Sequence, residues 1–257
     1  ATGDFGSAGL YLYEGSTRLT NGKTINSTTH EVSFVNLGLQ IAGTRTLTLV
    51  ADIASGATSS NRSSFSLIGS AGTPTPTGTL TGNEMAIAGQ RVGAVTIDNQ
   101  NQPADPKIGQ KEAPLTEVLL SASSTEDVLV NRLSFTEGGS IANSNLSNFV
   151  LKQNGVTVAT AASIGAKDLV TLVFNTPFKI EKGQNKAFIL YGDIAGNTRS
   201  ADTIIFYVDS ASDVSATGVT YGYPVLTNIT ALDATGDTYT LTVAGGDITI
   251  TFNGPVV

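Results

Sequence analysis

The sequence predicts an all-β protein made of two tandem immunoglobulin-like β-sandwich domains, and three observations support this. Apolar residues alternate with threonine in short runs, as in RTLTLVADI, where one face carries Leu47, Leu49, Ala51 and Ile53. Clusters of Gly, Asn, Asp and Pro separate these runs at roughly ten-residue intervals, which is the spacing of sandwich strands and turns. No amphipathic run of helical length is apparent.

Composition and charge exclude several functional classes. The chain has 257 residues, of which 14% are charged and none is cysteine, with a net charge of −7. Because nucleic-acid binding needs a basic patch, an acidic chain argues against that partner. No stretch approaches the ~20 apolar residues of a membrane span, and disulfides and thiolate metal sites are excluded. A charge-poor surface rich in Thr, Ser and Gly is typical of extracellular β proteins.

An internal repeat organises the chain. LYLYEGSTRL aligns with VLKQNGVTVA, which places Gly15 on Gly155 (155 − 15 = 140), and TLTLVADIASG aligns with AFILYGDIAGN, which places Asp52 on Asp193 (193 − 52 = 141). The offset stays nearly constant over some seventy residues, through SSFSLIGSAGTPTPTG and IIFYVDSASDVSATG. We therefore predict a tandem duplication with a period of about 140 residues.

The two copies are cut out of phase. The first copy has no counterpart of roughly residues 113–140 of the second, so we expect its domain to lack its leading strands. Residues 99–114 carry Pro103, Pro106 and Pro114 and are predicted to form a short linker. The predicted domains are residues 1–103, N-terminally incomplete, and residues 104–257. The last predicted strands lie in DTYTLTVAGGDITITFN, on either side of a turn at Gly245 and Gly246.

The strand and turn pattern resembles a known family. LTEVLLSASSTEDVLVNRLSF, LSNFVLKQNGVTVAT, KIEKGQNKAFILYGDIAG and DSASDVSATG look like the tandem β-sandwich repeats of large bacterial cell-surface proteins. The resemblance covers most of residues 113–235 and, in the first copy, residues 10–80. It implies an exported structural or adhesive protein and carries over no active site.

Catalytic chemistry finds little support in the residue types. The single histidine, His30, shares strand parity with Val32 and Phe34 and is interpreted as a partly buried residue at a strand end. No G-x-S-x-G motif accompanies it. The carboxylates of Glu126 and Asp127, or of Glu112 and Glu117, are interpreted as solvated charges rather than a catalytic pair. Asp52 and Asp193 recur between the copies, and each is expected to accept hydrogen bonds from backbone N–H groups of its own turn. We predict that the protein is not an enzyme.

Two kinds of ligand or modification site are conceivable. Oxygen ligands at the start of the linker could bind calcium, although a plain polar linker explains the same residues: Asp98, Asn99, Asn101 and Asp105. No other cofactor is expected. Four N-x-S/T sequons could carry glycans if the source organism glycosylates surface proteins: Asn26, Asn61, Asn145 and Asn228.

The missing strands suggest how the protein works. An incomplete sandwich exposes strand edges, and such an edge is a template for another chain. We expect a subunit of an extracellular filament or surface layer that polymerises head-to-tail with copies of itself, donating either residues 238–257 or residues 1–14. In the other interpretation, the chain belongs to a longer array whose missing strands lie upstream in the same polypeptide.

A binding module is the alternative function. An adhesin stalk or carbohydrate-binding module would need exposed aromatic residues, and the chain has no tryptophan. The loop TYGYP, with Tyr221 and Tyr223, is the cluster that could contact a glycan.

Overall fold

The computed structural model describes residues 2–54, 56–70, 77–78, 81–89, 92–233 and 238–246. The chain divides into two compact units. The first unit comprises residues 1–12 and 20–91, and the second comprises residues 13–19 and 92–257. A seven-residue stretch from the N-terminal region therefore belongs to the second unit.

The first unit contains few strands. β1 (Phe5–Glu14) begins in it, and β3 (Leu47–Ile53), β4 (Arg62–Ser63) and β5 (Met85–Ala86) follow. The end of β1 forms a hairpin with β2 (Thr17–Arg18), in the stretch that belongs to the second unit. The sheet order is β2-β1-β3, and β4 and β5 form a separate antiparallel pair. β1, which the sequence offered as a donor strand, is thus the central strand of its own sheet.

The second unit holds most of the strands. They are β6 (Ala94–Asn99), β7 (Ala113–Ala122), β8 (Val128–Glu137), β9 (Leu146–Gln153), β10 (Val156–Ser163), β11 (Leu169–Ile180), β12 (Asn185–Ile194), β13 (Thr203–Tyr207), β14 (Val214–Gly218), β15 (Leu226–Ile229) and β16 (Thr240–Thr242). Short 3-10 helices lie between some of them, at Asn143–Asn145, Ala166–Asp168 and Ala211–Asp213.

These strands form two layers. One has the order β15-β6-β7-β12-β9-β10, and the other contains β11, β8, β13 and β16, with β14 also paired to β8. The layers are joined where β10 meets β11 at Ala159 and Phe174. Aromatic contacts cross between them, with ring centroids 6.0 Å apart for Phe149 and Phe206 and 5.9 Å apart for Phe174 and Phe188. Such edge-to-face pairs add to the stabilisation that comes from burial.

The predicted all-β class is confirmed, and period-two alternation is the reason it could be predicted. In β7 Val118 and Leu120 are fully buried and the residue between them is not. The same alternation runs through β6, where Val95 and Ile97 are fully buried. These residues join one apolar core with the inward residues of the other layer. Within the described residues, no helix is long and apolar enough to cross a membrane.

Two sequence interpretations of local structure differ from what is observed. His30 is not at a strand end; it is exposed, has φ of 59°, and follows a turn in which its N–H donates to the Asn26 carbonyl. The run of residues 31–43 forms no strand in the structure, and Val32 and Phe34 are only partly buried there. The region interpreted as a linker is partly ordered by the second unit: Pro106 is buried, and its carbonyl accepts the Ala244 N–H at 2.8 Å. The repeat boundary at 103/104 stays a prediction.

Candidate assembly site

The first unit carries an apolar strand face that the described residues leave uncovered. Leu47 and Ile53 of β3 are 39% and 44% exposed, and Leu49 between them is only half-buried. β3 lies at one end of its sheet, with β1 on one side and no described strand on the other. We call this edge and the side chains of Leu47, Leu49 and Ile53 the open face.

Exposed apolar side chains are frequent elsewhere in the first unit. The exposed large hydrophobic residues there also include Val35, Ile41, Leu67, Ile68 and Met85. The main core cluster, by contrast, contains only residues from Val95 onwards among those described. Exposed apolar side chains mark an interaction site where they form one contiguous patch, as Leu47, Leu49 and Ile53 do on one face of β3.

A second feature, in the second unit, ties down the turn between β1 and β2. Arg18 is 2% exposed, and its guanidinium donates to Asp213 and to Asp209, each at 2.9 Å. Tyr13 is also buried, and its hydroxyl donates to the Ser212 carbonyl at 3.0 Å. We call the contacts of residues 13–19 with Asp209, Ser212, Asp213 and Arg132 the clasp.

The clasp is reinforced around both side chains. The guanidinium of Arg132 lies 4.9 Å from the centre of the Tyr13 ring, in a cation–π arrangement. Asp213 also accepts the Ser210 N–H at 3.1 Å, which is one half of a capping box at the 3-10 helix Ala211–Asp213. The local turn therefore holds the Asp213 carboxylate in position independently of Arg18.

Burial dominates the electrostatics of the clasp. Burial, together with the negative charge of Asp209, raises the pKa of Asp213 to about 6 against the opposing effect of Arg18. For Arg18, Asp213 and Asp209 outweigh the effect of burial and raise the pKa of its guanidinium, so Arg18 stays charged. An ion pair this buried contributes little net stability, but removing one partner is costly.

The residues predicted to bind calcium have protein partners. The side-chain amide of Asn101 donates to Glu117 at 3.0 Å, and Asp105 accepts the Thr242 N–H at 2.8 Å. Asp98 and Asn99 lie in β6, opposite Leu119 and Val118 of β7. Among the described residues, no three acidic or histidine side chains are grouped as metal ligands. The calcium site stays a prediction.

The four sequons lie in different surroundings. Asn26 and Asn228 are exposed, the first in a turn and the second in β15. Asn61 and Asn145 are half-buried, and the amide nitrogen of Asn61 donates to Asp4 at 2.7 Å. Since glycosylation attaches at this nitrogen, the structure favours Asn26 and Asn228 for this predicted modification.

The recurring aspartate of the second copy accepts several hydrogen bonds. Asp193 accepts the side-chain amide of Asn148 at 2.9 Å, the Glu112 N–H at 3.0 Å and the Lys111 ammonium at 3.0 Å. These hydrogen bonds, that of Asn148 foremost, lower its pKa to about 2. The backbone N–H that it accepts comes from the start of β7, not from its own turn.

The structure also shows two roles that the sequence analysis missed. Glu126 is not a solvated charge: it is 2% exposed and accepts backbone N–H groups from distant loops. The clasp joins Arg18 to Asp213, 195 positions apart, and no local pattern links them. The repeat gives no signal either: Gln153 and Val158 stand at the positions of Tyr13 and Arg18 in the second copy, but most other aligned residues of the two turns differ as well.

Comparisons with known proteins find distant structural neighbours. No protein-family model and no curated protein sequence matches the chain. The seventh ScaB type I cohesin of Pseudobacteroides cellulosolvens is 14% identical, with a TM-score of 0.31, and the match covers 63% of this chain and 99% of the cohesin. A membrane-anchored protein of Corynebacterium diphtheriae is 8% identical, with a TM-score of 0.24, over 94% of this chain and 53% of that one. The major pilin subunit BcpA of Bacillus cereus is 12% identical, with a TM-score of 0.20, over 87% of this chain and 64% of the pilin.

The last two matches span less than two thirds of the neighbour. Similarity at these TM-scores assigns no function, so the functional argument rests on the residues of this chain.

Proposed function

We propose that the protein is a non-enzymatic structural subunit of an extracellular filament or surface layer. Subunits assemble head-to-tail, and a strand from one copy adds to the open face of β3 in the next. The observation that carries the proposal is the contrast in burial between equivalent strands of the two copies.

That contrast is large at equivalent positions. Leu47 and Ile53 of β3 align with Phe188 and Ile194 of β12, each 141 positions later (188 − 47 = 141; 194 − 53 = 141). The first pair is 39% and 44% exposed, whereas the second pair is 0% and 1% exposed. β12 has β7 on one side and β9 on the other, and β3 has β1 in the place of β9 but no described strand in the place of β7. A strand added there would pair with the open edge of β3, and its apolar side chains would cover part of the open face.

Hydrogen bonds at matching positions support the repeat on which this comparison depends. In the first unit the Ala54 N–H donates to the Asp4 carbonyl at 2.9 Å, and in the second unit the Ala195 N–H donates to the Asn145 carbonyl at 2.9 Å. Both donors and both acceptors are 141 positions apart (195 − 54 = 141; 145 − 4 = 141). Each acceptor also ends a 3-10 helix, at Thr2–Asp4 and at Asn143–Asn145.

A further pair of bonds matches when MAIAG (residues 85–89) is aligned with LTVAG (residues 241–245). The Ser60 N–H donates to the Ile87 carbonyl at 2.8 Å, and the Ala201 N–H donates to the Val243 carbonyl at 2.8 Å. Ser60 and Ala201 both have positive φ, of 70° and 72°. Non-glycine residues adopt this conformation infrequently, so its recurrence at the same place supports a common ancestral unit.

Part of the predicted donor segment already forms a strand of the second unit, so a shorter segment remains as the donor. Within the predicted donor 238–257, Thr240–Thr242 form β16, and Leu241 and Val243 are buried in the core. Residues 247–257 lie outside the described residues, and their sequence DITITFN alternates Ile248, Ile250 and Phe252 with polar residues. An alternating strand of this kind supplies apolar side chains to a groove and main-chain hydrogen bonds to an edge. We therefore assign residues 247–253 of a second copy as the donor.

Complementary variants test the proposal. Leu49→Asp should prevent strand addition at the open face and leave the donor segment unchanged. Ile250→Asp should prevent the donor segment from binding and leave the open face unchanged. Light scattering and electron microscopy should show filaments for the wild type and no filaments for either variant alone. Because contacts of this kind are heterologous, the two variants mixed should form a capped complex of one copy of each.

The conservative pair Leu49→Val and Ile250→Val is the matched control and should still polymerise. A wild-type chain that stays monomeric, together with two variants that do not associate on mixing, would contradict the proposal. That outcome would favour the longer array, in which upstream residues of the same polypeptide cover β3.

A further inference from the structure

A loop of the second unit presents a cluster of exposed apolar and aromatic side chains. It joins β14 to β15, and Val219, Tyr221, Tyr223 and Leu226 are each 47–48% exposed. No charged residue occurs anywhere in the surrounding stretch 214–232. We call residues 218–224 the tyrosine loop.

The backbone of the tyrosine loop is closed on itself. The Gly218 N–H donates to the Tyr223 carbonyl at 2.9 Å, and the Gly222 N–H donates back to the Gly218 carbonyl at 3.0 Å. Gly222 has φ of +72°, a conformation that favours glycine. A bridge between Thr217 and Pro224 then closes the base of the loop.

A buried carboxylate fixes the loop from below. Glu126 accepts the Thr220 N–H at 2.9 Å and the Tyr221 N–H at 3.3 Å with one oxygen, and the Gly93 N–H at 2.9 Å with the other. A Cβ at Gly218 would lie about 2.2–2.4 Å from atoms of this carboxylate group, so the approach requires glycine. Charged acceptors form strong hydrogen bonds to N–H groups, and Glu126 therefore acts as a positioning residue for the loop.

Rigidity of this kind matters for binding. A ligand that meets a pre-ordered loop does not bear the entropic cost of ordering it. Tyrosine adds contact area with few rotatable bonds, and its ring offers an apolar face beside a polar hydroxyl. Two half-exposed tyrosines on a fixed backbone have the properties of a recognition surface rather than of a mobile loop.

We propose that the tyrosine loop binds a neutral carbohydrate. The C–H face of a sugar ring packs on an aromatic face, while its hydroxyl groups hydrogen-bond to neutral donors and acceptors such as the exposed Thr220. The absence of charge over residues 214–232, in a chain of net charge −7, disfavours an anionic glycan. This inference goes beyond assembly, since it uses only residues of the second unit and requires no polymer.

The test uses the full chain carrying Leu49→Asp, so that polymerisation does not interfere. Cellohexaose, chitohexaose and a linear mannohexaose are titrated by calorimetry and by two-dimensional NMR. We expect at least one of them to bind and to shift the signals of residues 217–228. Tyr221→Ala combined with Tyr223→Ala should weaken that binding at least about tenfold, because both stacking faces are lost.

Two variants separate positioning from folding. Glu126→Gln keeps both tyrosines but places an amide N–H₂ against backbone donors, so we expect a loss of affinity of several-fold and altered near-ultraviolet circular dichroism from tyrosine. Val156→Ala removes an exposed apolar side chain of the β9–β10 turn, far from the loop in sequence, and should leave binding unchanged.

Two results would overturn the inference. One is that none of the three oligosaccharides binds, or that the double tyrosine variant binds as well as its parent. The other is that the double tyrosine change, introduced into the wild-type chain, lowers the assembled mass in the absence of any sugar. The tyrosine loop would then be a protein interface. If the wild-type chain never polymerises but still binds sugar through the tyrosines, only the proposed assembly is refuted.

Discussion

β3 in the first unit and β12 in the second are built from nearly the same pattern and end in very different surroundings. Both end in the dipeptide Asp-Ile, which an alanine follows, and both pair with a strand whose hairpin turn contains a glycine of positive φ, Gly15 or Gly155. Phe188, Leu190 and Ile194 of β12 are fully buried, whereas Leu47 and Ile53 of β3 are exposed. A similar sequence thus forms a strand in both places, while burial depends on the neighbouring strands and on an opposing layer, from which Phe174 and Phe178 contact Phe188.

The two hairpins, both of which the structure describes, also differ in that only the β1–β2 hairpin carries a buried ion pair, and the largest predicted effect comes from removing that pair. Arg18→Met would leave Asp213 buried without its cation, and we expect a loss of about 3–5 kcal/mol in the unfolding free energy of the second unit. Val158 stands at the equivalent position of the β9–β10 turn, so Val158→Met should change stability by less than ~1 kcal/mol. Urea unfolding followed by circular dichroism measures both.

A rescue variant sharpens the interpretation. Combining Arg18→Met with Asp213→Leu replaces the buried pair by apolar side chains, and stability should return close to that of the wild type. Equal small losses for Arg18→Met and Val158→Met would mean that the clasp does not distinguish the two turns.

Equivalent leucines of the two strands give the next largest effect. Leu190→Ala should cost about 2–5 kcal/mol because it leaves a cavity in a closed core. Leu49→Ala, the matched change in β3, should cost less than ~1 kcal/mol in the monomer, because Leu49 is only half-buried there. Thermal unfolding of dilute, unassembled protein is the measurement.

The same leucine pair also reports on assembly. If the open face is covered in the polymer, Leu49→Ala should raise the concentration at which assembly begins. Losses of the same size for both variants in the monomer would show that β3 already packs against a core.

The smallest effect concerns pH and the aspartates that recur in the two strands. The folded-state pKa of Asp193 is about 2, below the roughly 3.9 of an unfolded chain. Asp193 therefore contributes stability that is fully present above about pH 4 and is lost as the pH falls towards 2. Asp193→Asn should lower stability by about 1–2 kcal/mol at pH 7 and by progressively less at acidic pH.

Asn148 provides the check on the cause. It donates the hydrogen bond that lowers this pKa most, and the first copy has Ala8 at the corresponding position (148 − 8 = 140). Asn148→Ala should raise the pKa of Asp193, as measured by NMR titration of its carboxyl carbon. An unchanged pKa would assign the stabilisation to Lys111 and Glu112 instead.

Local patterns allowed much of the fold to be predicted from the sequence. Alternation located β3, the alignment with β3 located β12, and the glycines of the turns located the hairpins; alternation and turn glycines depend on neighbouring residues alone. The same reasoning was wrong for His30 and for Glu126. The residues after His30 form no strand, and the burial of Glu126 depends on loops more than thirty and ninety positions away that provide Gly93 and Thr220.

The candidate sites likewise divide into features that depend on neighbouring residues and features that depend on residues far apart in sequence. Tyr221 and Tyr223 could be selected from the sequence because turn residues surround them, but their support by Glu126 could not. The clasp could not be predicted, since an arginine and an aspartate far apart in sequence form a pair only when the fold brings them together. Comparison of the two copies would not have singled out Tyr13 and Arg18, because eight of the ten aligned residues in LYLYEGSTRL and VLKQNGVTVA differ.

The clasp also bears on what happens when the chain is cut. Residues 13–19 belong to the second unit, whereas the residues on both sides of them belong to the first. The segment 26–44 that follows is largely exposed and contains no strand, so a protease can reach it. A chain cleaved there would keep its N-terminal fragment, held without a covalent link by Tyr13 and Arg18, and would pass through native purification as a single particle.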